Sequence, residues 1–340
     1  MTQHTRTPAR LIAGAFLGAA ALALTACSGA GGGTAGGGGE EPSAIQSVSV
    51  IAPADPGGGW DQTARAAAEA LTSAGLVSSA PVTNIGGAGG TIGLASLATE
   101  TDPNTLMITG SVMVGAVETN QSENRIEDMT PIARLTEEPL VLVVPGDSEY
   151  DTLDDFLSDW AEQGASLPIT GGSSGGIDNI LAAQLLEDAG VEDVVGSLNY
   201  IANAGGGEAV TLLLSGQVAA GISGVGEFAE QIKAGELKAL AVSSAEPAAL
   251  LPDVPTLQEQ GVDITLTNWR GLIAPGGIED AQKEALVGLV TDLHETEEWT
   301  ETLETNGWTD AFLTGDDFSS FLEEDIATTQ DTLRTLGIIE

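Results

Sequence analysis

Three features of this chain predict an α/β fold. Short apolar runs without polar alternation recur along it, as in strands buried on both faces. Helix-patterned stretches separate those runs. Glycine-rich turns join one to the next, most plainly at Pro56-Gly57-Gly58-Gly59-Trp60-Asp61. This alternation implies largely parallel sheets, with ligands at the carboxyl ends of the strands. The 340 residues are enough for two lobes of ordinary size.

Apolar, unalternating runs place strands at residues 48–52, 82–85, 106–109, 140–144, 167–170, 218–222, 237–242 and 271–274. Helices are predicted between them at 62–74, which is alanine-rich, and at 92–98, 153–163, 178–189 and 208–214. Gly190 and Gly216 stand where helix-ending glycines belong. Past Pro275 the pattern turns helical. Leu286, Leu289 and Leu293 fall at helical spacing within 279–293, and Phe318, Phe321, Leu322 and Ile326 do so within 316–336. These are packing faces, expected to cover the first lobe.

The turn at Gly57, Gly58 and Gly59, continuing into Trp60 and Asp61, opens a helix directly after a strand. Free amides at such a point, with the helix dipole, suit an anion. The pattern recurs. A Gly86–Gly90 loop carries Gly89, Gly90 and then Thr91, and Gly110 precedes Ser111. Gly171-Gly172-Ser173-Ser174-Gly175-Gly176 precedes Asp178, and Asn203 leads into three glycines before Glu208. Together these loops describe a pocket of backbone amides and small hydroxyls, the donors a carboxylate needs.

Composition removes several classes. There are 50 acids against 10 lysines and arginines, a net charge of −40, which argues against nucleic acid and anionic lipid surfaces. No Gly-Lys-Ser or Gly-Lys-Thr follows a loop and no loop has G-x-G-x-x-G spacing, so nucleotide cofactors are not expected. No metal-ligand spacing appears, and no cofactor or metal is expected. Gly171-Gly172-Ser173-Ser174-Gly175 matches the G-x-S-x-G nucleophile elbow, so a secreted serine hydrolase using Ser173 stands as an alternative. Its histidine would have to be His294, in an acidic helical stretch, and the pattern is weak in a chain with 45 glycines.

The N-terminus is expected to be a targeting segment. His4, Arg6 and Arg10 precede an apolar stretch that ends in Leu24-Thr25-Ala26-Cys27, a lipobox-like sequence. Residues 1–27 then form a lipoprotein signal peptide, Cys27 is the lipidation site, and 28–43 is a glycine-rich tether. The mature protein would be extracytoplasmic and lipid-anchored at the cell membrane. Arg270, in Thr267-Asn268-Trp269-Arg270-Gly271, either forks onto a ligand carboxylate or pairs with one of the many acids. Trp60 and Trp269 either flank the site or pack, while Trp160, Trp299 and Trp308 read as structural.

APADPGGGWDQTAR (52–65), NIGGAGGTIG (84–93), LLSGQVAAGISG (213–224), LKALAVSSAEPAALLPDVPTLQEQG (237–261) and NWRGLIAPGG (268–277) stand in one order along the chain. This set resembles the TctC/Bug family, the extracytoplasmic solute-binding proteins of tripartite tricarboxylate transporters. The resemblance implies a two-lobed, type II periplasmic-binding-protein-like (Venus flytrap) α/β fold with a hinge. Lobe 1 is expected over 44–142 and 240–340, and lobe 2 over 143–239. It implies capture of an organic carboxylate, no catalysis, and delivery to integral membrane permease subunits; a sensor subunit of a signalling system is the other role such a chain can serve. Gly57–Asp61, Gly89, Gly90 and Thr91, with Ser111, would hold the ligand from lobe 1, and Ser173, Ser174, Gly175, Asn203 and Ser223 from lobe 2. Trp60-Asp61-Gln62, where many relatives have Thr-Asp, resembles a tricarboxylate-binding branch. Tyr200-Ile201-Ala202 lacks the lysine often found there, and Ile222-Ser223-Gly224 lacks an aspartate. Arg270 is then expected to supply the cation, and citrate is the expected kind of ligand.

Overall fold

A computed structural model describes residues 45–203 and 206–340. The expected signal peptide, Cys27 and the tether lie outside the described residues, as do Ala204 and Gly205. No helix among the described residues is long and apolar enough to cross a membrane.

The chain begins with β1 (Ser49–Ala52), α1 (Gly59–Ser73), β2 (Val82–Asn84), α2 (Thr91–Leu97), β3 (Thr105–Gly110) and α3 (Ser111–Thr119). β1 lies between β2 and β3, parallel to both. β3 is buried along its whole length, which accounts for its unbroken apolar run. α1 turns Ala64, Ala67, Ala68 and Leu71 into the core, so small side chains let it lie close to the sheet.

β4 (Thr130–Pro145) is the structural axis. Its 16 residues far exceed the predicted five, because polar Thr136, Glu137 and Glu138 interrupt its apolar pattern. Its first part pairs antiparallel with a later strand, β9 (Thr267–Ala274), as far as Pro139. From Leu140 onward it belongs to a second sheet. Pro139, which has no N–H to give to a ladder, stands at that change of partners.

The second group follows as α4 (Leu153–Gln163), β5 (Ile169–Gly171), α5 (Ile177–Asp188), the short α6 (Val194–Ser197), β6 (Tyr200–Ala202), α7 (Gly206–Leu214), β7 (Ala220–Gly224), α8 (Val225–Lys233) and β8 (Leu237–Val242). Thr152 caps α4, its hydroxyl accepting from the Asp155 N–H at 3.2 Å. Gly190 and Gly216, just past α5 and α7, have φ of +84° and +67°, the left-handed conformation that ends a helix. β5 is parallel to β6 and β7, while β7 and β8 run antiparallel to β4.

The chain returns through β9 (Thr267–Ala274), α9 (Asp280–His294), α10 (Glu297–Asn306), β10 (Thr309–Thr314) and α11 (Gly315–Thr335). Two expectations change here. The sheets are mixed, because β4 opposes every partner it has and β3 opposes β9. The segment past Pro275 is not all helical, because β10 adds to the free side of β4. β10 is half-exposed and carries polar residues, so its sequence lacks a buried strand's signature.

The apolar residues divide between these groups. One core joins β1, β3, α1, α3, the first part of β4, β9 and the faces of α9 and α11, with Trp299 and Phe318 inside it. The other cores gather Leu140, Leu142, Trp160, Ile169, Leu186, Ile222 and Phe228. Leu240, Leu257 and Val262, which fall within the span assigned to lobe 1 from sequence, pack in this second group. The molecule is a mixed α/β protein of two lobes joined through β4, with one core cluster in the first and two in the second.

Candidate functional site

A cleft of about 370 Å³ lies between the lobes. The carboxyl ends of the parallel strands open onto it. Pro53, Ala54 and Asp55 follow β1, Gly172, Ser173 and Ser174 follow β5, Ala202 and Asn203 end and follow β6, and Ser223 and Gly224 close β7. This is where an open α/β sheet binds ligands.

The first-lobe wall is built from α1, the Gly87–Gly90 loop and β9. Gly59 and Trp60, in the first turn of α1, line the cleft. A helix's first N–H groups have no partner within it and favour an anion. No side chain among the described residues caps α1, whose N-cap is Gly58. A Cβ on Gly59 would come 2.6 Å from Arg270 Nη2, so glycine is what lets the guanidinium pack under this turn. Gly89 and Gly90 also line the cleft, with φ of +61° and +88° that admit glycine far more readily than other residues. The Trp60 ring packs on Gly90, and Asn120 Nδ2 donates to the Ala88 carbonyl at 2.9 Å, which ties α3 to the loop.

Other first-lobe residues expected at the ligand serve the scaffold. Gly57 and Gly58 lie outside the lining; the Gly57 N–H donates to Asp61 Oδ2 at 2.8 Å. Asp61 is buried away from the cleft, and its Oδ1 accepts from Asn84 Nδ2 at 2.8 Å. Burial works against its charge, but Arg65, the Gly57 N–H and Asn84 together hold its carboxyl below the usual value. Thr91 donates to the Ala88 carbonyl, and the Ser111 hydroxyl accepts from the Trp269 N–H. Trp269 faces the core, not the cleft. Its indole N–H donates to Asp325 at 3.1 Å and its ring meets Phe318 and Phe321 edge-on. Alternation along β9 explains this, since Asn268 and Arg270 share one face and Trp269 takes the other.

Arg270 lines the cleft but does not wait in solvent. Its side chain is 4% exposed, Nη2 pairs with Glu138 Oε1, and Nη1 donates to Thr63 at 3.3 Å. Its guanidinium also sits over the Trp308 ring at 5.6 Å. Burial pushes the Glu138 carboxyl up, while Arg270 pulls it back. The expected ligand cation is thus already half of an ion pair.

The second-lobe wall is acidic. Asp178, Glu208 and Glu227 each stand in the first turn of a helix, α5, α7 and α8, and all three line the cleft. A carboxylate there complements its own helix dipole. Asp178 Oδ2 accepts from the Gly172 N–H at 2.7 Å, and Ser223 donates its hydroxyl proton to Glu227. Burial and the neighbouring Glu227 charge push the Asp178 carboxyl up to about 7, against the pull of the Gly172 N–H. Burial also raises the Tyr200 hydroxyl's pKa, with Asp178 adding to it, and that hydroxyl donates to the Gly172 carbonyl.

Of the second-lobe residues expected at the ligand, Ser173, Ser174, Asn203 and Ser223 line the cleft. Asn203 Nδ2, however, faces Thr170 Oγ1 and the Gly171 carbonyl at 2.6 and 2.9 Å, within its own lobe. Gly175 does not line the cleft. Its N–H donates to Asn179, and its loop rests on α3 of the first lobe, where the Thr119 hydroxyl is shared between the Gly115 carbonyl of its own helix at 3.1 Å and the Ser174 carbonyl at 3.3 Å. His294 stacks on Phe312 and contacts Asp310 beside a separate hollow, so it is not the partner that a Ser173 nucleophile needs.

The three second-lobe acids and Asn268 are absent from the expected set. The acids had a sequence signal, since each falls one to three residues after a glycine of a strand-to-helix loop. Asn268 needed only the period of two along β9 from Arg270.

Residues 63–338 match the family described as "Tripartite tricarboxylate transporter family receptor", TctC. The chain is 30% identical over 233 residues to a UPF0065 protein in the TAR-I ttuE-ttuC' intergenic region of Agrobacterium vitis; the match covers 67% of this chain and 65% of that relative, just under two thirds of its length. It is similar to the structure of the periplasmic binding protein BugD, with a TM-score of 0.77 at 21% identity over 86% of this chain and 98% of that one. It is similar also to MatC from Rhodopseudomonas palustris with bound malate, with a TM-score of 0.72 at 22% identity over 85% and 99% of the two chains. With a family match over most of its length and a two-lobed cleft of this kind, the chain belongs to the TctC family of solute-binding receptors.

Proposed function

We propose that this protein captures a small organic carboxylate between its lobes and passes it to a membrane permease. The observation that carries this is the first-lobe wall, where the uncapped start of α1 opens into a cleft of small-molecule size. Membership of a transporter receptor family supports the delivery step. Cys27 would become the lipidated N-terminus and hold the protein outside the cell on its glycine-rich tether. The hinge would be the place where Pro139 of β4 pairs with Thr267 of β9. Ser243 clamps that place, accepting from the Leu140 N–H at 2.9 Å and donating to the Leu266 carbonyl. Lobe 2 would then run from 140 to 266.

A citrate-like ligand suits the cleft's charge poorly. Asp55, Asp178, Glu208 and Glu227 line it, against Arg270 as the one basic residue of the lining among the described residues. We favour a carboxylate of fewer charges. A thermal-shift screen of mono-, di- and tricarboxylates tests this. A ligand at 100 times its Kd should add about 2.7 kcal/mol. No shift with any carboxylate overturns the proposal, and the largest shift with a tricarboxylate overturns its charge preference.

A further inference from the structure

Resting on the solute-binding reading above, we infer that the ligand is an amino-carboxylate, its carboxylate toward the start of α1 and its protonated amine toward Asp178, Glu208 and Glu227.

The two walls of the cleft differ in their balance of charge: the first lobe sets Asp55 beside the open start of α1 and Arg270, whereas the second brings three carboxylates and no basic residue to the lining. On the first lobe, Gly59 and Trp60 present the uncapped end of a helix of 15 residues, which attracts negative charge. On the second, three helix starts each carry their own carboxylate at the cleft. A dicarboxylate spanning the cleft would set its far end against like charge. An ammonium in the same place would neutralise it.

A second observation, independent of the acids, points the same way. Asn268 is 7% exposed and lines the cleft, yet its Oδ1 has no hydrogen-bond donor among the described residues. Two residues along the same face of β9, Arg270 Nε has no acceptor among the described residues. A buried acceptor without a donor is costly, and so is the reverse. One ligand bearing both an N–H donor and an anionic oxygen answers both needs, whereas a simple carboxylate answers only the second.

The experiment uses matched ligand pairs that differ by one amine, succinate against aspartate and butanoate against 4-aminobutanoate. Each is titrated by calorimetry into wild type, Glu227→Gln and Asn268→Ala. The amino member of at least one pair should bind about tenfold tighter or more, the range expected of hydrogen bonds to a charged group. Glu227→Gln and Asn268→Ala should each shrink that ratio by weakening the amino ligand alone. Equal or tighter binding of the amine-free members to wild type overturns the inference and leaves the solute-binding reading intact; this comparison needs neither variant to fold. A preference that survives both variants unchanged also overturns it. Binding of no carboxylate, with or without an amine, overturns the underlying reading as well.

Discussion

The two walls of the cleft come from similar strand-to-helix loops, yet their charge differs: one carboxylate, Asp55, lines the first beside Arg270, and three line the second. On the first lobe the carboxylate nearest the helix start, Asp61, is turned inward and satisfied by Gly57, Asn84 and Arg65. The end of α1 is left open to the cleft. On the second lobe the corresponding carboxylates face the cleft, and nearby donors serve them: Gly172 for Asp178 and Ser223 for Glu227. The same glycine-rich motif therefore leaves a helix start open to the cleft in one lobe and sets a carboxylate at the cleft in the other. What differs is where the first-turn acid points.

The largest expected effect breaks the first wall. Arg270→Ala would leave Glu138 buried, 3% exposed, without its counter-charge. Losing one partner of such a pair costs about 3–5 kcal/mol. Denaturant unfolding should show that loss, and Glu138→Gln added to Arg270→Ala should restore most of it. Unchanged stability with lost affinity would mean that the guanidinium belongs to the ligand rather than the wall.

A smaller effect probes the second wall. Asp178 faces Glu227, Glu138, Arg270, Tyr200 and the Gly172 N–H, and its carboxyl is pushed up to about 7 from an ordinary 3.8. The folded state therefore holds a proton that the unfolded state has already lost. That proton's contribution to stability is complete below pH about 4 and is lost as pH rises towards 7. The slope approaches about 1.4 kcal/mol per pH unit for one proton. Asp178→Asn should flatten the stability profile in that window. An unchanged profile would show that Asp178 ionises normally and that the wall carries its full charge at neutral pH.

The smallest effect concerns the contact between the walls. Thr119→Val removes the hydroxyl that the Ser174 carbonyl, 3.3 Å away on the second lobe, shares with the Gly115 carbonyl of α3 at 3.1 Å. A loss of about 0.5–1.5 kcal/mol is expected. Small-angle scattering should show a shift towards a more open molecule without ligand; the same profile as wild type would mean that packing alone holds the lobes together.

By itself the sequence determined the α/β character, most of the strands around the cleft and the glycine loops at their ends, because apolar periodicity and glycine are local signals. The helix faces of α9 and α11 were legible for the same reason. Family membership was legible in the order of the motifs along the chain. Other features rest on contacts between residues far apart in the chain. β4 and β9 meet only in the folded molecule, so the mixed sheets and the strand shared by both lobes were hidden. Glu138 lies 132 positions from Arg270, and no local pattern announces that pair. Trp269 and Arg270 are neighbours in sequence, but the pleat sends one to the core and the other to the cleft. The charge of the site was decided the same way: Asp61 and Asp178 look alike in sequence, and only tertiary packing turns one inward and leaves the other lining the cleft.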